Sequence, residues 1–274
     1  MSLETQIAAL VTAANNLTTA VNGKVAEINE KVKTATDSVP SVIRSLADQS
    51  FYIDAVNGLD TNTGSTTAAP IKTAAEAKRR AVNGGVVRLL FKSGQTHDVD
   101  FFLQSGLISC TTYGHTDLQN KADRATLRPA LGGLDANGRR FVLGIGVASG
   151  QIYLTGLNIT TDYSGAETMV TDAGFIRYTN SRADVFLYVC DLVLSDIPFA
   201  SIYTGYSARD IYLASTTVAV KAGKEAVAKL LNTRNSTPPT IRFEVHSGAL
   251  TNATWAGLLP TKQADNFLTN VAIA

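Results

Sequence analysis

Cysteine, histidine and clustered charge are scarce in this chain of 274 residues, and each shortage closes off a class of function. The two cysteines, Cys110 and Cys190, are too few for a disulfide framework and, without histidine help, too few for a zinc site. Both read as buried thiols in a protein assembled in a reducing compartment. His97, His115 and His246 are scattered, and no pair has the spacing that puts two metal ligands on one helix face. Lys and Arg number 24 against 23 Asp and Glu, a net charge of +1. That balance argues against an electrostatic hold on nucleic acid or anionic membrane, both of which need clustered cations. No apolar run reaches the roughly 18 to 20 residues of a membrane span, and no charged start followed by a hydrophobic stretch marks a secretory signal. Gly144-Ile145-Gly146 lacks the rest of a dinucleotide fingerprint, and no serine nucleophile elbow is present. No cofactor and no metal are expected.

What the chain does have begins at once. Leu3, Ile7, Leu10, Ala14, Leu17 and Val21 alternate steps of four and three, the rhythm of helices wound left-handed around one another. Val25, Ile28, Val32, Ala35 and Val39 keep the rhythm after one stutter beside Asn22 and Gly23, where the supercoil unwinds locally. One amphipathic helix lying on its own domain would share this pattern, but eleven seam positions on a single stutter favour oligomerisation. Val at 21, 25, 32 and 39 with Leu at 3, 10 and 17 suits two strands, and Ile28 leans towards three. Residues 1–39 are therefore read as a coiled-coil stalk. Pro40 is expected to end it, leaving 40–50 as a connector.

Beyond residue 50 the composition shifts to Gly, Thr, Ser and Asn, and short alternating segments are broken by turns. Phe51 to Asp54 begins a strand, Ala74 to Val82 suits a short helix capped by Thr73, and Val86 to Phe91 is a further strand. Triplets with two inward aliphatics recur as Leu157-Asn158-Ile159, Leu192-Val193-Leu194, Ile211-Tyr212-Leu213 and Phe243-Glu244-Val245, at spacings of 35, 19 and 32 residues. Such irregular repeats fit stacked strands interrupted by loops, or a sandwich for the later strands. Val220, Ala226, Val227 and Leu230 fall at helical spacing and predict a helix inserted over 220–231.

Tyr52-Ile53-Asp54, Gly58-Leu59-Asp60, Pro70-Ile71-Lys72-Thr73 and Val87 to Gly94 together resemble the opening of right-handed parallel β-helix proteins of the pectate-lyase-like kind. The expected fold is mainly β behind an N-terminal coiled coil, with 51–274 as a short right-handed parallel β-helix capped by the helix at 74–82. A stalk joined to such a domain is similar to tail fibres and tailspikes of tailed bacteriophages, and Met1 to Leu17 resembles the start of tail fibre proteins of contractile-tailed phages. The resemblance implies a homotrimer on the virion tail, assembled in the host cytoplasm. It would be held to tail or baseplate proteins through residues 1–39 and would contribute to host-surface adsorption. An adaptor that touches only virion proteins, and a polysaccharide-depolymerising tailspike, are the alternatives.

Depolymerisation would need two carboxyl groups about 5 to 10 Å apart. Asp184, Asp191, Asp196 and Asp210 are the densest acidic cluster, but their spacing selects no pair and turn capping accounts for aspartates in such positions, so no catalytic residue is assigned. Asp54, Asn57, Asp60 and Asn62 have the oxygen density of a calcium loop without its terminal glutamate, and turn chemistry is the expectation. Tyr203, Tyr206 and Tyr212, with Arg209 and Asp210 between them, form the best saccharide-contact patch, because aromatic faces stack on sugar rings; packing within the assembly is the competing role.

Overall fold

A computed structural model describes residues 2–163, 165–170, 174–177, 183–202, 209–233, 241–260 and 267–272, with backbone alone for Arg44, Ser45, Ile202, Arg209 and Thr233. The chain divides into two compact units at Ala47 and Asp48.

The first unit is one helix, α1 (Leu3–Ala47). The Ser2 hydroxyl accepts the Thr5 N–H at 3.3 Å and caps its start. Lys24 and Lys31 each bond Glu27 at 2.7 Å, and Lys33 bonds Asp37, so the charges of the second half pair along the helix itself. Pro40 does not end α1. A proline cannot donate to the carbonyl four residues back, but its fixed φ suits a helix, and the helix runs through it at the cost of that one bond. The Ser38 and Ser41 hydroxyls bond back to the carbonyls of Ala35 and Ser38 at 2.7 Å. The 40–50 segment is accordingly helix to Ala47 and strand from Asp48. Running on past Pro40, the seam gains Val42 and Leu46 at steps of three and four. Nothing within α1 itself covers the stripe: Leu3 is 72% exposed, Leu17 65% and Val32 58%.

The second unit is built of strands that return in a fixed order. It opens with β1 (Asp48–Ile53) and α2 (Ala74–Arg80). Three strands follow, β2 (Val86–Lys92), β3 (Thr96–Val99) and β4 (Phe101–Leu103). The next circuit is β5 (Gly106–Tyr113), β6 (Ala125–Leu134), β7 (Arg140–Leu143) and β8 (Ile145–Val147). Then come β9 (Gly150–Thr155), β10 (Leu157–Thr160) and β11 (Ile176–Arg177), followed by β12 (Ala183–Tyr188), β13 (Asp191–Leu194) and β14 (Ala200–Ile202). After these run β15 (Arg209–Ala214), β16 (Thr217–Val220) and β17 (Leu231–Thr233). The chain finishes on β18 (Ile241–Val245), β19 (Leu250–Thr251), α3 (Trp255–Leu258) and β20 (Phe267–Thr269).

Successive circuits add to three sheets. The first has the order β1-β2-β5-β9-β12-β15-β18-β20, the second β19-β16-β13-β10-β6-β3 and the third β17-β14-β11-β8-β4. Among the described residues pairing is parallel, except that β6 runs on into an antiparallel ribbon with β7.

Period-two alternation makes the core. On the first sheet Val87, Ile108, Ile152, Val185, Ile211 and Phe243 stand in register, all buried. Beside them Leu89, Cys110, Leu154, Leu187 and Leu213 form a second buried column. Each such aliphatic contributes about 1.5–3 kcal/mol on burial. Phe175 and Phe199, just ahead of β11 and β14, stack with centroids 5.8 Å apart. Where circuits begin, Gly106 and Gly150 pair in register with φ of 121° and 147°, and a Cβ on Gly150 would lie 1.8 Å from the Gly106 carbonyl oxygen. Only glycine fits that approach.

The cap helix is shorter than 74–82, stopping at Arg80. Thr73 caps it by accepting the Glu76 N–H at 3.1 Å, and Ala74 and Ala77 are buried in the core. The irregular triplet spacings have a simple origin: the first two triplets lie in β10 and β13 of the second sheet, and the last two in β15 and β18 of the first. The step of 19 is a change of sheet. No helix forms over 220–231; β16 ends at Val220 and a turn follows, with the Val227 and Ala228 N–H groups both donating to the Lys224 carbonyl. Gly223 at φ 80° interrupts any helix, and the apparent periodicity joins Val220, buried at a strand end, to Leu230, buried ahead of the next strand, across exposed Ala226 and Val227.

Candidate functional site

The alternation that buries Ile152 and Leu154 turns Tyr153 outward, and the same holds at each pairing that follows. Tyr153 pairs in register with Phe186, Phe186 with Tyr212, and Tyr212 with Glu244, giving an aromatic ladder on the outer face of the first sheet. Tyr153 and Phe186 stack with centroids 4.6 Å apart and planes 13° from parallel. Phe186 and Tyr212 are 6.4 Å apart and tilted by 52°, and His246 lies over Tyr212 at 6.3 Å.

Two residues before each ladder position stands a polar column: Gln151, Asp184, Asp210 and Arg242. One Asp184 carboxylate oxygen accepts the Asp210 N–H at 3.3 Å. Arg242 donates through Nε and Nη2 to one oxygen of Glu244, at 2.9 and 2.7 Å, and this bond raises its already high pKa. Phe186, Asp210, Ile211, Tyr212, Arg242 and Glu244 enclose a groove of about 90 Å³.

Of the saccharide patch expected from sequence, Asp210 and Tyr212 are brought together here. Tyr203 and Tyr206 lie outside the described residues, and Arg209 opens β15 with its backbone alone described. Tyr153, Phe186 and Glu244 are additions. Their signal was present: Ile152-Tyr153-Leu154, Val185-Phe186-Leu187 and Ile211-Tyr212-Leu213 repeat one aliphatic-aromatic-aliphatic triplet.

The acidic cluster divides three ways. Asp184 and Asp210 share the outer face of the first sheet. Asp191 is buried on the second sheet, bonded to Arg124, Lys121 and the Thr217 hydroxyl. That ion pair forms one wall of a groove of about 340 Å³ that Asn158, Thr160 and Val193 also line. Asp196 accepts from Lys224 at 2.6 Å and from the Ser195 hydroxyl at 2.9 Å. Burial alone would raise its carboxyl, but those donors and the Tyr163 N–H hold it below the usual range.

The oxygen-rich turn is spent on its own backbone. Asp54 accepts the N–H groups of Val56 and Asn57 and the Gln95 amide, Asp60 accepts those of Lys72 and Thr73, and the Asn62 amide donates to the Pro70 carbonyl. His97 is buried, with Nε2 3.1 Å from the Lys92 carbonyl and its ring against Phe91, whereas His115 is exposed. Burial pushes the Cys190 thiol up to about 12 and Cys110 higher still, so neither is a nucleophile at neutral pH. Gly144 and Gly146 serve close packing, since a Cβ on Gly144 would meet the Phe175 carbonyl oxygen at 2.0 Å.

No family model matches the sequence, and comparison with curated proteins and with solved structures likewise finds no match.

Proposed function

We propose that the chain is a non-enzymatic subunit of a homotrimeric attachment fibre, of the kind carried on bacteriophage tails. In this reading α1 is both the clasp between copies and the point of docking to tail or baseplate proteins, residues 48–274 form a short right-handed parallel β-helix, and the aromatic ladder contacts saccharide on a host surface. The observation that carries it is the open seam of α1, an apolar stripe from Leu3 to Leu46 with nothing in its own helix to cover it. In its second half the seam runs Val25, Ile28, Val32, Ala35, Val39 and Val42. Ile28 leans towards three strands, and the number three otherwise comes from the resemblance to tail fibres.

The solution mass of the full chain tests the reading. A trimer at micromolar concentration is expected, and a monomer overturns it.

A further inference from the structure

We propose that the groove on the outer face of the second sheet is a binding site for an aliphatic chain ending in a carboxylate, separate from the aromatic ladder. Register sets its floor. Thr126, Asn158, Asp191 and Thr217 form one outward column, and two residues further along the strands Thr160, Val193 and Ala219 form the next. Apart from the Thr160 hydroxyl the second column offers only methyl groups, and Val193 leaves 39% of its surface to water. No aromatic ring is among the described residues that line the groove, so a sugar finds no face to stack on, whereas an aliphatic chain finds apolar surface across three strands. At about 340 Å³ the groove holds about ten non-hydrogen atoms, at roughly a water's share of 30 Å³ each.

The first column supplies the charge. Both oxygens of Asp191 are taken, one by Lys121 and the Thr217 hydroxyl and the other by buried Arg124. Two cations thus share one anion, and the surplus positive charge reaches solvent at Lys121, whose side chain is 64% exposed. Its ammonium has three protons; Asp191 takes one, Thr217 lies 3.5 Å away, and one is left for a ligand. Asp123, the other carboxylate of the same 3-10 turn, Lys121–Asp123, accepts the Thr116 hydroxyl at 2.6 Å and does not line the groove. The wall is fixed in advance, because the Asn158 amide donates to the Lys121 carbonyl at 2.8 Å and ties that turn to β10. A carboxylate held by Lys121 lays its chain along Thr160, Val193 and Ala219, and an ammonium in the same place meets like charge.

Titration of the full-length protein with octanoate, 1-octanol, octylammonium and glucuronate at neutral pH tests this. Octanoate is expected to bind at least about fivefold more tightly than octanol, octylammonium more weakly than octanol, and glucuronate not at all. Lys121→Met keeps the stem and removes the charge, so it should bring octanoate down to octanol, and added salt should weaken octanoate alone. Ala219→Phe fills the floor and Val193→Asp sets a like charge on it; both positions face outward, and each substitution should abolish octanoate binding. Equal binding of octanoate and octanol, or a preference that outlives Lys121→Met, overturns the role of Lys121 and the proposal with it. Octanoate binding that survives both floor substitutions puts the ligand elsewhere, the α1 seam included, and overturns the site. Glucuronate binding as tightly as octanoate overturns the aliphatic assignment, and no binding of octanoate up to about 3 mM overturns the proposal outright.

Discussion

His97 is a residue whose chemistry conflicts with its surroundings. It is 2% exposed, and with Nε2–H given to the Lys92 carbonyl, Nδ1 has no partner among the described residues. Burial lowers its pKa, against the opposing pull of the Lys92 carbonyl and of Asp54 and Asp98. The folded state thus binds this proton less readily than the unfolded one. The stability it contributes is complete above the unfolded value of about 6.5 and is lost as pH falls below it towards the folded pKa. Equilibrium denaturation between about pH 6.5 and 5 should show stability declining with acid, and His97→Gln should flatten that slope. An unchanged slope would place the acid sensitivity elsewhere.

At the scale of elements, α1 and the strands depend on different partners. A long helix with its apolar stripe in water is marginal, whereas each strand is held by neighbours from the same chain. Ile28→Asp puts a charge in the middle of the seam and should dissociate the proposed trimer, while the melting of residues 48–274, a separate compact unit, stays within about 1 kcal/mol of the parent. Sedimentation combined with near-UV circular dichroism would check both halves.

The same contrast governs what could be read from sequence. The first helix was legible because a repeat of four and three, broken by one stutter, runs from Leu3 to Val39, and Thr73 announced its helix because a cap is a local interaction. The end of α1 was not, since Pro40 forbids one bond and not the helix. The 220–231 segment misled because two residues from separate strand ends, Val220 and Leu230, happened to fall at helical spacing. The ladder required knowing which strands are neighbours: Tyr153, Phe186 and Tyr212 are 33 and 26 residues apart, distances set by loops of unequal length. Asp184 and Asp210 became a pair for the same reason.

Across the second unit, a short helix lies at either end of the run of strands. At the start α2 buries Ala74 and Ala77 against the core, and at the finish Trp255 of α3 lies 5.6 Å from Phe243, with the Leu258 carbonyl accepting the Leu230 N–H. Sheets left open at an end invite further pairing. Deleting 241–274 strips β18, β19, α3 and β20 together. The remainder should keep its strand signature in far-UV circular dichroism but associate at raised concentration through the bared edges of β15, β16 and β17. A shortened chain that is wholly unfolded would mean that the circuits stand only as a complete set.

Along the first sheet the spatial order of strands is the order of the chain, β1 to β20 without reversal. A ribosome therefore delivers each strand after the one it must lie against, and every circuit finds its template finished. Growth can proceed like masonry, course upon course, and no segment has to wait for a distant partner still to be synthesised.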